Sequence, residues 1–225
     1  MKSDFEILEI VKQTIKKESE SIKKLLDYVD NEFVSAVKEI FNSKGRVIIS
    51  GIGKSAIIGN KIVATLNSTG TPAIFMHAAE AIHGDLGIIQ PDDVVICMSK
   101  SGNTPEIKVL TPLVKSRGNK LIALVGNTDS YLAKSADYVL NCTVEKEACP
   151  NNLAPTSSTT AQLVLGDALA VALLYCKNFT AQDFARYHPG GSLGKRLYLK
   201  VSDLYVKNEK PQVSLSTPLR DTLME

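Results

Sequence analysis

Apolar positions change their period along the chain. Residues 4 to 43 carry a helical stripe: Phe5, Leu8, Val11 and Ile15, then Ile22, Leu25 and Leu26, then Phe33, Val37 and Ile40, with Lys and Glu between them. This predicts two amphipathic helices, broken near Asp30-Asn31. The first is long and has one greasy face, suited either to the domain's own core or to another subunit. After Asn42-Ser43-Lys44-Gly45 the pattern shortens. β-rich runs appear at 46–50, 73–76, 94–98, 121–125 and 138–142. Helical segments fall between most of them, at 55–68, 105–117 and 129–135, and a nearly uninterrupted apolar helix is expected at 161–176. Strand, loop, helix, strand predicts an α/β fold: a three-layer αβα sandwich around a doubly wound, five-stranded parallel sheet. Right-handed crossovers bring the C-terminal ends of all strands to one edge, where ligands of such folds bind. The chain then divides into N-terminal helices (1–43), the α/β domain (44–205) and a polar, turn-rich segment (206–225).

Composition narrows the classes. The 225 residues are 44% hydrophobic and 22% charged, enough for one substantial core. There is no Trp, so aliphatic side chains must fill that core, as is usual for parallel sheets. The net charge of +2 is spread among interleaved Lys and Glu, which argues against a nucleic-acid partner. Cys97, Cys142, Cys149 and Cys176 fit no zinc spacing and no small disulfide framework. Cys97 and Cys176 lie in apolar runs and read as reduced core residues. The first ten residues mix charge and apolar side chains too early for a signal peptide. No apolar run reads as long enough to span a bilayer. A cytoplasmic location, with no membrane partner, is the expectation.

The loops after the strands carry the candidate chemistry. "SGIGKS" (50–55) follows a strand and opens a helix, with glycines for close backbone approach and Lys54 as a nearby cation. It lacks both the Walker A spacing and a full GxGxxG. "SKSGNTPE" (99–106) repeats the arrangement. Ser99, Ser101 and Thr104 surround Gly102, and Pro105 stands at a favoured first-turn position. Helix capping would need one hydroxyl; three beside free N–H groups suit a phosphate. A third hydroxyl cluster, residues 156–160, is expected to cap the apolar helix and to bring Glu145 and Glu147 to the same edge. A carboxylate beside a bound phosphosugar is a candidate general base if burial raises its pKa. His77 and His83 share one loop. His188 precedes Pro189-Gly190-Gly191, a turn able to hold an imidazole outward.

Taken together, "SGIGKS", "STGTPAIFMHAAEAIHGDLG", "SKSGNTPEI", "KEACPNNLAPTSSTTAQLVLGDALAVALL" and "DFARYHPGGSLGKRL" resemble the D-arabinose 5-phosphate isomerases, a branch of the sugar isomerase (SIS) domain family. The likeness covers about residues 40 to 205. It implies interconversion of D-ribulose 5-phosphate and D-arabinose 5-phosphate through an enediol, feeding Kdo synthesis for lipopolysaccharide or capsule, without a cofactor. Lys54, Glu106, Glu147 and His188 match the family's catalytic positions. Of these, Glu147 is the expected base, and Glu106 and Glu147 are open to exchange. The implied substrate-binding set is Ser50, Gly51, Gly53 and Ser55; Gly70 and Thr71; His77 and His83; Ser99, Ser101, Gly102, Asn103 and Thr104; and Ser157 and Ser158. His77 matches a position associated with inhibitory zinc. The resemblance also implies a homo-tetramer whose active sites are shared between chains, and a downstream Kdo sugar as feedback ligand. Segment 206–225 resembles the truncated start of a CBS-like module. Another SIS phosphosugar isomerase, or a non-catalytic sugar-phosphate sensor, is the alternative.

Overall fold

The computed structural model describes residues 1–191, Gly194 and residues 213–222. It comprises two compact units, Met1–Phe179 and Thr180–Glu225. The expected boundary at 205/206 lies outside the described residues, as does much of the expected CBS-like segment.

In the first unit, β1 (Val47–Gly51), β2 (Ala73–His77), β3 (Val94–Ser99), β4 (Lys120–Val125) and β5 (Tyr138–Asn141) form one all-parallel sheet, in the order β2-β1-β3-β4-β5. β1 and β3 are buried throughout, and β4 is buried after Lys120. Strands covered on both faces need apolar side chains pointing both ways, so they read as unbroken runs of Val and Ile rather than as an alternation. The helices are α1 (Asp4–Lys24), α2 (Asn31–Asn42), α3 (Lys54–Ser68), α4 (Pro105–Ser116), α5 (Tyr131–Ser135) and α6 (Ser157–Cys176). Two core clusters separate along the strand alternation. Val47, Ile49 and Met98 pack with Val37 of α2, Ile62 of α3 and Leu165 of α6. Ile48, Val95 and Cys97 pack with Leu110 of α4 and Leu132 of α5. The three layers and five strands are those the sequence pattern predicts.

The N-terminal helices belong to this unit. Asp30 ends the break after α1 by accepting a 2.9 Å hydrogen bond from the Glu32 N–H, which caps α2. α2 buries Phe33, Ala36, Val37 and Ile40. α1 buries no residue: Phe5 is 72% exposed and Ile15 66%. Its second half reaches α6, where the Thr160 hydroxyl donates to Glu18 at 3.0 Å.

Two features depart from expectation. α6 begins at Ser157, not near residue 161, so the hydroxyl cluster forms its first turn. At 20 residues and a mean hydropathy of 1.5, α6 is, among the described residues, the one helix long and apolar enough to cross a membrane. Ala161, Leu165, Leu169 and Leu173 are instead part of the core. Cys176 is the second departure. Cys97 and Cys142 are buried, and burial pushes both thiols up to about 12, but Cys176 is exposed. It ends α6 next to Tyr175, which is 82% exposed, on a turn that has left the core.

Candidate active site

The strand order reverses direction between β1 and β3. Their following loops therefore diverge to opposite faces of the sheet and leave a crevice at the C-terminal edge. A cavity of about 340 Å³ lies there. Its walls are Ile52, Lys54 and Ser55 after β1; Met98, Ser99, Lys100, Ser101 and Thr104 at the end of β3; and Pro155, Ser158, Thr159 and Gln162 at the start of α6. Three helix N-termini meet at it. Those of α3 and α4 have no side-chain cap, so their first-turn N–H groups and partial positive charge remain available to an anion.

Each loop has a local reason for its course. Gly53, the N-cap of α3, has φ +58, a conformation that L side chains rarely adopt. Gly102 has φ +63, and a Cβ there would lie 2.0 Å from the Ser130 Oγ. The Ser99 hydroxyl accepts from the Gly102 N–H at 3.0 Å, and the Ser101 hydroxyl accepts from the Asn103 N–H at 3.3 Å. Two of the three expected cradle hydroxyls thus also shape the turn. Thr104 does not: it stands at the N-cap of α4 yet makes no cap bond, and its buried Oγ1 has no partner among the described residues.

Glu147 is the electrostatic centre of the third wall. It is 1% exposed. One carboxylate oxygen accepts from Lys100 Nζ at 2.5 Å and from the Ser158 hydroxyl at 2.5 Å. The other accepts from the N–H groups of Thr156 at 2.8 Å and Ser158 at 3.2 Å, and from the Thr156 hydroxyl at 3.2 Å. Glu147 therefore caps α6 from outside the helix. Burial alone would raise its pKa. The Lys100 ammonium, the Ser158 hydroxyl and the two backbone N–H groups outweigh that and hold it down at about 2. The expected elevation is not what this environment produces, because so many donors surround the carboxylate. The preceding loop is built to deliver it. Asn152, at φ 54, accepts from the Glu147 N–H at 2.7 Å, and Thr156 Oγ1 accepts from the Ala148 N–H at 2.8 Å. Cys149 Sγ accepts from the N–H groups of Leu153 and Ala154. Glu145, by contrast, is exposed and ion-paired with Lys24 of α1.

The remaining candidates separate. Lys54 is exposed on the cavity wall and, among the described residues, has no hydrogen bond or ion pair. Glu106, half-buried in the first turn of α4, likewise has none among them. Ser50 and Gly51 end β1. Ser50 Oγ is buried without a partner among the described residues, as is the Ser157 hydroxyl, and a Cβ on Gly51 would meet the Met98 carbonyl oxygen at 3.3 Å. His77 ends the edge strand β2, and its Nδ1 accepts from the Ala79 N–H at 3.3 Å; His83 is exposed. Neither lines the cavity. Among the described residues no group of three His, Cys, Asp or Glu side chains is placed to hold a metal ion.

Gly70 and Thr71 lie elsewhere than expected. They precede β2 and so stand at the N-terminal edge of the sheet, roughly 16 Å from the cavity at about 3.3 Å per strand residue. There Lys177 Nζ donates to the Gly70 carbonyl and to Thr71 Oγ1, both at 2.8 Å. These contacts tie α6 to the α3–β2 turn.

His188 belongs to the second unit. It follows α7 (Ala181–Tyr187), and its ring stacks on Phe184 with centroids 3.9 Å apart. Its Nδ1 lies 2.9 Å from the Phe184 carbonyl oxygen. A carbonyl only accepts, so Nδ1 is the donor in this contact.

Residues 39–172 match the SIS domain model. The chain belongs to the SIS domain family. A relative from Pseudomonas aeruginosa named arabinose 5-phosphate isomerase KdsD is 51% identical over 226 residues, covering 100% of this chain and 69% of its own length. A relative from Escherichia coli O6:H1 named arabinose 5-phosphate isomerase KpsF is 48% identical over 95% of this chain and 65% of its own length. The chain thus spans about two thirds of the curated relatives it matches. A solved structure of a protein from E. coli CFT073, in complex with arabinose 5-phosphate, superposes with a TM-score of 0.80 at 41% identity, covering 84% of this chain and 100% of that one.

Within this SIS domain, sequence reasoning missed Lys100 and Gln162, and read Thr159 only as part of the capping hydroxyl cluster. Lys100 was in view, inside the hydroxyl loop between Ser99 and Ser101. Gln162 carried a weaker signal: it is the one amide in the apolar stretch of α6.

Proposed function

We propose that this SIS domain is an aldose–ketose isomerase that interconverts D-arabinose 5-phosphate and D-ribulose 5-phosphate. The observation that carries this reading is the cavity at the β1/β3 crevice, where Lys54 and the 99–104 hydroxyl loop meet the start of α6. The reading is supported by relatives named for arabinose 5-phosphate isomerisation at 48–51% identity. The phosphate sits against the uncapped N-terminus of α4 with Ser99, Ser101 and Thr104. Binding energy from this non-reacting end orients the sugar. A base removes the C2 proton of the aldose, and the resulting enediolate is reprotonated at C1. Lys54, a cation without a partner among the described residues, stabilises the enediolate.

The base is assigned to Glu106 rather than to Glu147. A carboxylate held at about 2 by the donors of Lys100, Thr156 and Ser158 is a weak proton acceptor at neutral pH, whereas Glu106 has no hydrogen bond or ion pair among the described residues. Glu147 positions Lys100 and the first turn of α6. Assistance to ring opening is the role that the resemblance of its motif implies for His188. The chain works in the cytoplasm without a cofactor, as a homo-oligomer that covers the exposed apolar face of α1. Its product supplies Kdo synthesis, again as the resemblance implies. Glu106→Gln tests the assignment: turnover should fall roughly 10²-fold or more while the melting temperature is unchanged. Near-normal turnover in that variant, with loss in a well-folded Glu147→Gln, would return the base to Glu147.

A further inference from the structure

Beyond its first turn α6 buries apolar residues with one exception. Gln162 is 1% exposed, and among the described residues neither its amide nitrogen nor its amide oxygen has a hydrogen-bond partner. A buried polar group left unpaired loses its hydration and gains no bond in return. Met fills nearly the same volume without that cost. The carboxamide is therefore unfavourable in the ligand-free fold, where the described residues offer it no partner. What it does offer is position. Gln162 lies one helical turn beyond Ser158, on the same face, and lines the cavity with Thr159 and Met98. On the wall formed by the end of β3, Thr104 Oγ1 is also buried and unpartnered, although it occupies an N-cap. Two residues whose buried polar atoms have no partner among the described residues thus line the same space.

We infer that Gln162 is a substrate-contacting residue that selects the hydroxylated carbon chain of the sugar phosphate. A carboxamide presents a donor and an acceptor side by side. Sugar hydroxyls both donate and accept, so a neutral amide matches them without a full charge. The anionic end has other provision, in the open α4 N-terminus and the serine hydroxyls. Gln162 stands apart from these, on α6. The inference rests on the phosphosugar reading given above and adds to it the group that reads the hydroxyls. A site that hydrogen-bonds a substrate hydroxyl discriminates strongly, because an analogue lacking that hydroxyl leaves the amide unpaired in the bound state as well.

The experiment compares the wild-type chain with Gln162→Met in three measurements: ligand-free melting temperature, binding of inorganic phosphate, and binding and turnover of D-arabinose 5-phosphate. The expected result is an unchanged or higher melting temperature, unchanged phosphate affinity, and a roughly 10- to 100-fold loss of arabinose 5-phosphate affinity and of kcat/KM. Equal arabinose 5-phosphate affinity in the two proteins would overturn the inference while leaving the isomerase reading standing if turnover is normal. A lower melting temperature in ligand-free Gln162→Met would also overturn it, since the amide would then have a partner within the protein. Tight binding without turnover by the wild type would instead sink the isomerase reading, and the affinity ratio would still decide the role of Gln162.

Discussion

A single carboxylate organises the third wall of the cavity. Glu147 combines an ion pair, a helix cap and a loop anchor, and its depressed pKa has a consequence for stability. A carboxylate held below its unfolded value stabilises the fold above about pH 4.5, and that contribution fades as pH falls toward about 2. The wild-type melting temperature should therefore drop between pH 5 and pH 3 more steeply than that of Glu147→Gln. At pH 7 the variant should be less stable by about 1–3 kcal/mol, because the surrounding donors lose a charged acceptor and Lys100 turns to solvent. Thermal melts across that pH range check both statements; parallel pH profiles would contradict them. The residue types at the site were legible in the sequence, because hydroxyls and glycines after strands have few other uses. The state of Glu147 was not legible. A pKa is set by neighbours in space, and the donors on Lys100, Thr156 and Ser158 converge only once β3, β5 and α6 are placed. Gly70 and Thr71 went astray for a simpler reason: residues before a strand fall at the opposite edge of a parallel sheet from residues after it.

At the scale of elements, period and punctuation were enough to read the five strands and most helices. The start of α6 was misjudged, because Ser and Thr are common caps and a run of them resembles a cap more than a first turn. The crossing of α6 with α3 is tight. A Cβ at Gly166 would lie 2.2 Å from Ile62 Cδ1. Gly166→Ala should therefore destabilise by about 1–3 kcal/mol despite its better helix propensity. Adding Ile62→Val should restore part of the loss, and denaturant titration of the three variants measures the coupling. Because α6 carries Ser158, Thr159 and Gln162, the same shift should raise KM for the sugar phosphate.

At the scale of the whole molecule, the apolar stripe on α1 was legible, but its partner was not, because a stripe does not say what covers it. In the structure Phe5, Leu8 and Ile15 remain exposed, which favours the intersubunit alternative. Replacing all three by Ser should lower the mass measured by light scattering, whereas a free surface helix would leave it unchanged. The central claim concerns the cavity and its chemistry. Its most direct measurement follows purified wild-type chain and D-ribulose 5-phosphate by NMR, without added metal or cofactor. D-arabinose 5-phosphate should accumulate to an equilibrium mixture reached equally from the other side, with unphosphorylated arabinose unreacted. Binding of the pentose phosphate with no interconversion in either direction would contradict the claim.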